Sequence, residues 1–360
     1  MNTAGSDIAI ETRGSALVVS LDRVRAHNAL TPAMIARLAA ALPEAARNPN
    51  VYCAVLTSSS PKAFSAGGDV RALIETAKVD MGAAHAALAA EYAFNWLHEC
   101  FSKPTCALIG GMVMGSGVGI TAYGTHRVAG PGYRFAMPET AIGLFPDVGA
   151  AWLLARLPDE MGTYLGLTGR TIRRADAYAL GLVTHCIDDA EFPAIVAELA
   201  DTQPIDPLLD RRHVDPGQGE LAALRGVVAR CFSGSSVAQI MGRLAEETGE
   251  HKAWADGVAA DLRARAPLSL AVTLRHLREA RAQDLRQTLQ VDYRLACRFL
   301  AGHDFAEGVR AALVDKDGKP RWEPDRIEDV SPDMVDDYFA DMGPDELSLP
   351  TRTEMQTARV

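Results

Sequence analysis

Short apolar runs alternate with longer amphipathic stretches through the first half of the chain. "DIAIET" and "ALVVSLD", residues 7–12 and 16–22, alternate or run apolar as strands do. "TPAMIARLAAALPEAARN" then opens with Thr31 as a helix N-cap and Pro32 at the first helical position. "VYCAVLTS", from Val51, reads as a third strand, and the Gly67-Gly68-Asp69 break precedes the helix-prone "VRALIETAK". From about residue 80 to 102 an Ala- and aromatic-rich helix runs up to Pro104, and "CALIGG" then reads as a buried strand. "MGSGVGITAYG" turns on glycine into a helix and "HRVAG" is one more short strand. "GAAWLLARL", "DEMGTYLGLTG" and "RADAYALGLV" are helical in pattern before "VTHCID".

Strand and helix in alternation predict an α/β fold with a mostly parallel sheet under covering helices. Residues 201–220, "DTQPIDPLLDRRHVDPGQGE", gather Pro, Asp and Gly without period, which predicts a linker or a domain edge. Beyond it the pattern is almost wholly helical. The expected organisation is a core over 1–200 and a mostly helical region over 201–360, either separate or one continuous domain with the core. There is no repeat of solenoid period and no low-complexity tract.

Composition narrows the functional classes. The 360 residues are 48% hydrophobic and 23% charged, as in ordinary globular proteins, with a formal net charge of -10 and a pI near 5.4. That balance excludes general binding to nucleic acid or to a membrane surface, which needs clustered Lys and Arg, so an anionic ligand must be held locally. The N-terminus carries no basic stretch followed by an apolar block, and no apolar run is long enough to span a bilayer; a cytoplasmic location is expected. The six cysteines lack CxxC spacing and read as buried thiols.

The run "RFAMPETAIGLFPDVGA", residues 134–150, sets Glu139 and Asp147 among apolar, glycine and proline residues. A charge in such a setting is costly unless paired or neutralised, so these acids are either loop residues in water or functional groups. Upstream, "KAFSAGGD" (62–69) and "GMVMGSGVG" (111–119) each put glycines between a strand and a helix, leaving backbone N–H groups free to face an anion. A tight turn would use the same glycines. A dinucleotide fingerprint fails because Ile120 occupies the place of its third glycine, and Met114 and Val118 flank Ser116 where a nucleophile elbow needs glycines. Two free N–H donors followed by two acids suit acyl chemistry: an oxyanion-hole donor is worth roughly 2.7–4 kcal/mol at the transition state, and the acids supply acid, base or nucleophile. His98 and Glu99 make no HExxH motif, and the other histidines show no ligand spacing, so no metal is expected. The four tryptophans read as core or interface, and the mixed-charge stretches at 211–215 and 275–286 as solvated loop and helix faces.

With "KAFSAGGD", "ALIGGMVMGSGVG" and "FAMPETAIGLFPDVGA" in this order, the sequence resembles the crotonase (enoyl-CoA hydratase/isomerase) superfamily. The MPE and FPD pairing and "HDFAEGVRAALVDKDGKPRW" at 303–322 are similar to its 3-hydroxyisobutyryl-CoA hydrolase branch. The resemblance covers nearly the whole chain. It implies a ββα spiral core with mostly parallel sheets, and an acyl-CoA substrate whose coenzyme A is not a separate cofactor. It further implies that Gly68 and Ser116 offer N–H groups to the thioester oxygen beside Gly67 and Gly115, that Glu139 and Asp147 are the catalytic carboxylates, and that Glu91 lines the acyl pocket.

Arg23, Arg25 and Lys62 lie in segments that resemble the family's CoA-contacting loops and are candidates for the phosphates. Ser116 departs from the glycine usual in the family. Hydratases of the superfamily carry a second glutamate where this chain has Gly119, and usually glycine where it has Asp147. The implied reaction is hydrolysis of a short 3-hydroxyacyl-CoA of the valine-catabolism type. The alternatives are enoyl-CoA hydration or isomerisation on Glu139 alone, and a catalytically silent CoA-binding protein. The superfamily often forms trimers and hexamers, so a homo-oligomer is open.

Overall fold

The computed structural model describes residues 7–360; the first six residues of the N-terminal stretch read above lie outside it. Among the described residues ten strands form two sheets: β1 (Ile8–Arg13), β2 (Ala16–Leu21), β3 (Cys53–Ser58), β4 (Ala63–Ser65), β5 (Thr105–Ile109), β6 (Met112–Met114), β7 (His126–Ala129), β8 (Arg134–Ala136), β9 (Ile172–Arg173) and β10 (His185–Cys186). The larger sheet runs β1-β2-β3-β5-β7-β10 and the smaller β4-β6-β8-β9. Only the β1–β2 and β8–β9 pairs are antiparallel.

Each turn of the chain thus lays one strand in the larger sheet and the next in the smaller: β3 then β4, β5 then β6, β7 then β8. The run "ALVVSL" of β2 is apolar on both faces because both are covered. Leu17, Val19 and Leu21 enter the main core, while Ala16 and Val18 enter a second cluster behind the sheet.

Thr31 caps α1 (Pro32–Arg47), accepting from Met34 N at 3.3 Å, as its position before Pro32 predicts. Asp69 and Asp80 cap α2 (Val70–Val79) and α3 (Met81–Cys100) in the same way. Of α4, only Ser116–Gly119 is helical. In the second half, the helices Pro267–Ala280 and Leu285–Ala301 pack against the first half, the latter directly on α3.

One apolar cluster extends from Ile8 to Val360. The segment 201–220 is not loose along its length. Its helix Ile205–Asp210 buries Ile205, Leu208 and Leu209 behind the larger sheet, a helical i, i+3, i+4 set that the surrounding Pro and Asp hid. No helix among the described residues is long and apolar enough to cross a membrane.

Candidate active site

The parallel strands β4 and β6 end side by side, and their loops deliver Gly67-Gly68 and Gly115-Ser116 to one place. Leu30 bridges Gly68 in parallel register: Leu30 N donates to Gly67 O (2.8 Å) and Leu30 O accepts from Asp69 N (2.9 Å), so the Gly68 N–H takes no part in the bridge. The Gly68 N–H therefore points away from that bridge. Ser116 is the first residue of α4, where a helix leaves its N–H groups without an internal acceptor. Both residues line a cavity of about 550 Å³.

The two acids of the apolar run line the same cavity, as does Glu91 from α3. Glu139 opens a 3-10 turn (Glu139–Ile142) after Pro138 and is 6% exposed; its Oε2 has no hydrogen-bond partner. Burial pushes its pKa up to about 8. A Cβ on Gly115 would lie 3.0 Å from Glu139 Oε1, which places that carboxyl against the β6 loop.

Asp147, 8% exposed, accepts a hydrogen bond from the Tyr92 hydroxyl at 2.8 Å. Burial, with Glu91, Glu139 and Asp292 as like-charged neighbours, holds its pKa well above the usual carboxylate range; the Tyr92 bond pulls the other way. Glu91 is also raised by burial, against the opposing hydrogen bond of the Ser116 side chain. The Ser116 hydroxyl is thus in contact with Glu91 in the cavity wall, and a Cβ on Gly68 would meet the same Oγ at 2.8 Å.

Gly119 has no room for a side chain. A Cβ there would stand 2.7 Å from Asn95 Nδ2 and 3.0 Å from Val148 Cβ. The acids are held from the second half of the chain: Ala266 N donates to Thr140 O at 3.2 Å, and Ala296 and Phe305 complete the cavity wall. Among the described residues, no group of three or more His, Cys, Asp or Glu could hold a metal ion.

The basic residues are placed differently from the rest. Arg23 is bound to Asp69 (2.8 Å) and to Asp7 (3.5 Å). Arg25 and Lys62 are exposed and outside the cavity wall, and neither has an ion-pair partner among the described residues. Sequence reading passed over Tyr92, next to Glu91, and Asp292, whose one signal was an acid on the apolar stripe of "LQVDYRLAC". It also set His276 on a solvated face. His276 is 1% exposed and hydrogen-bonded to Asp292; the flanking arginines that made the stretch look wet are themselves half-buried in ion pairs, Arg275 with Glu279 and Arg278 with Glu160.

The enoyl-CoA hydratase/isomerase family model matches residues 16–339. The chain is 37% identical to 3-hydroxyisobutyryl-CoA hydrolase 1 of Arabidopsis thaliana, over 97% of this chain and 96% of that protein. It is 34% identical to the mitochondrial 3-hydroxyisobutyryl-CoA hydrolase of Rattus norvegicus, over 97% and 92%. The crystal structure of an enoyl-CoA hydratase from Rhodobacter sphaeroides 2.4.1 superposes with a TM-score of 0.89 at 35% identity, over 96% of this chain and 100% of that one. The spiral of paired strands, the two glycine loops at its mouth and these matches along nearly the whole length agree: the chain belongs to the enoyl-CoA hydratase/isomerase family.

Proposed function

We propose that this protein hydrolyses a short-chain 3-hydroxyacyl-CoA thioester of the 3-hydroxyisobutyryl-CoA kind, as in valine catabolism, to the free acid and CoA. One observation carries the reading: Glu139 and Asp147, both buried and both shifted toward the protonated form, share a cavity with the N–H donors of Gly68 and Ser116. The relatives described as hydrolases support it. The hydratase reading, suggested by the Rhodobacter structure, lacks its second glutamate at Gly119 and has no space for one.

In the proposed reaction the thioester oxygen sits between the N–H groups of Gly68 and Ser116, which stabilise the negative charge it gains. Ionised Glu139 either attacks the carbonyl carbon or takes a proton from the attacking water. Asp147, whose pKa burial and its like-charged neighbours hold well above the usual carboxylate range, gives a proton to the departing thiolate as the C–S bond breaks. On the water-activating route the water oxygen ends in the acid product; on the covalent route the thiolate leaves a Glu139–acyl anhydride, and water attacking its glutamyl carbonyl frees the acid and leaves the water oxygen in Glu139. Single turnover in heavy-oxygen water separates the two routes, since label in Glu139 requires the covalent one.

Arg25 and Lys62 have free side chains and are proposed to meet the CoA phosphates; an unchanged KM when both are Ala would remove them from that role. A cytoplasmic setting is proposed on the six buried free cysteines, which fit a reducing compartment; cell fractionation tests it.

The deciding assay follows thiol release from 3-hydroxyisobutyryl-CoA and loss of enoyl absorbance from crotonyl-CoA. Glu139→Gln and Asp147→Asn should each lower thiol release by about 10²–10⁴-fold. Enoyl loss without thiol release, dependent on Glu139 alone, would overturn the hydrolase reading. Intact CoA binding without any turnover would leave a silent binding protein.

A further inference from the structure

The turn that presents Asp147 is strained. Val148 adopts a left-handed conformation (φ 54) that a β-branched residue rarely takes, and Gly149 follows at φ 79. Such a turn persists only if its surroundings fix it, and here the fixing groups come from outside the loop. Tyr123 OH donates to Val148 O at 2.5 Å, and Gly149 N donates to Asp292 Oδ2 at 2.6 Å. Asp292 Oδ1 in turn lies 2.6 Å from His276 Nε2. Asp292 is fully buried and belongs to the helix Leu285–Ala301, while His276 belongs to Pro267–Ala280 and sets its ring edge-on to Phe145, two residues before Asp147.

A neutral His276 ring with its proton on Nε2 is the tautomer that leaves no ring proton unpaired. Gly149 N–H can only donate, and His276 Nδ1 has no partner that would satisfy a second ring proton, so both Asp292 oxygens act as acceptors. Burial pushes the Asp292 pKa up, while His276 and the Gly149 N–H pull it down. The result is a buried carboxylate behind the catalytic loop.

We propose that Asp292 and His276 are positioning residues of the hydrolase site: they lock the Val148–Gly149 turn and set the field that decides when Asp147 gives up its proton. The groups around Asp147 are Glu91 and Tyr92 on α3, Glu139 on its own side of the cavity, and Asp292 from the helix behind. Tyr123 and His276 act one bond further out. Of these, Asp292 is the carboxylate outside the cavity lining, so it can be altered without touching the substrate. A negative neighbour disfavours ionisation of Asp147, and removing it lowers the pKa of Asp147.

The inference rests on the hydrolase reading, and its test has one arm that needs no turnover. Asp292→Asn keeps an oxygen for Gly149 N–H and deletes the charge, and its amide N–H can meet His276 only if the ring accepts at Nε2 with its proton moved to Nδ1. The kcat limb that Asp147→Asn abolishes should move down by about 0.5–1 pH unit, with KM changed less than about twofold. Asp292→Ala, which also releases the turn, should lose about 10–100-fold in kcat.

In the second arm, difference infrared titration of the carboxyl band assigned to Asp147 should show the same downward shift in Asp292→Asn. If wild type releases no thiol while this band still shifts, the hydrolase reading fails and the coupling stands. A folded Asp292→Asn protein with neither the limb nor the band moved overturns the proposal, whatever its thermal stability. Should that variant not fold, His276→Phe leaves Asp292 with only the Gly149 donor, raises its own proton affinity and is expected to shift the Asp147 band the same way; no shift there is equally fatal.

Discussion

At the residue scale, the two departures from the family pattern have opposite freedom to change. In the proposed reaction Ser116 lends its backbone N–H, and a glycine would lend the same group, so Ser116→Gly is expected to keep kcat within about fivefold. What it removes is the hydroxyl on Glu91, whose hydrogen bond lowers that carboxyl's pKa. Without it Glu91 holds its proton to higher pH. Steady-state kinetics should therefore show the change in the pH dependence of KM more than in kcat; a loss of kcat beyond roughly 10²-fold, the worth of one oxyanion-hole donor, would mean that the hydroxyl itself acts on the thioester.

Gly119 is the reverse case. Installing the hydratase-type acid with Gly119→Glu forces a chain into Asn95 and Val148, with overpacking costs of about 1–3 kcal/mol before any charge is buried. The expected product is a less stable protein with no hydration of crotonyl-CoA, read by thermal melting and enoyl absorbance. Hydration in a stable variant would show that the site differs from a hydratase by one side chain only.

At the scale of elements, what was legible followed period and punctuation. Thr31-Pro32 fixed the start of α1, and the fully apolar "ALVVSL" marked a strand covered on both faces. Glu139 and Asp147 were legible because acids stand out in an apolar run, and the N–H donors because glycines interrupt a βα turn at the same point twice. The division into two sheets was not legible. β4, β6 and β8 are three residues each, too short to show alternation, and only their pairing separates them from the strands just before them.

The Asp292–His276 pair was hidden for another reason. Each side chain is one polar position on a long amphipathic helix, and only the packing of two distant helices against the acid loop gives it meaning.

The C-terminal stretch is a further element whose role lies in packing. Trp96 Nε1 donates to Pro350 O at 2.8 Å, Arg286 donates to Leu349 O, and Leu347, Leu349 and Met355 are buried, so residues 347–360 brace the outer side of α3. That helix carries Glu91 and Tyr92. Burial of each such side chain contributes about 1.5–3 kcal/mol. Truncation after Glu346 is expected to lower Tm by at least about 5 °C in a thermal melt and to reduce thiol release with it. A truncated protein that melts as wild type would show that α3 is held from the inside alone.

For the whole molecule, the buried acids tie activity and stability to the same proton. Glu139 has a folded pKa of about 8 against an ordinary 4.5, raised by burial. Between those values the folded state binds more protons than the unfolded one, so the contribution is fully present below pH 4.5 and is lost as pH rises through about 8. Glu307 works in the other direction. Its bonds to Arg310 hold its pKa down to about 2, so its contribution is present above the ordinary value and disappears only on strong acidification. From pH 5 to 8 the raised group dominates, and wild-type Tm should fall across that range; Glu139→Gln, which cannot ionise, should fall less steeply.

Catalysis by ionised Glu139 requires the opposite trend, with thiol release rising as pH approaches 8. The two curves should cross over one titration, and Glu139→Gln should flatten both. A flattened activity profile with an unaltered Tm slope would mean that Glu139 reaches the substrate from a solvated position, and that the cavity admits water to the acid before it admits the thioester.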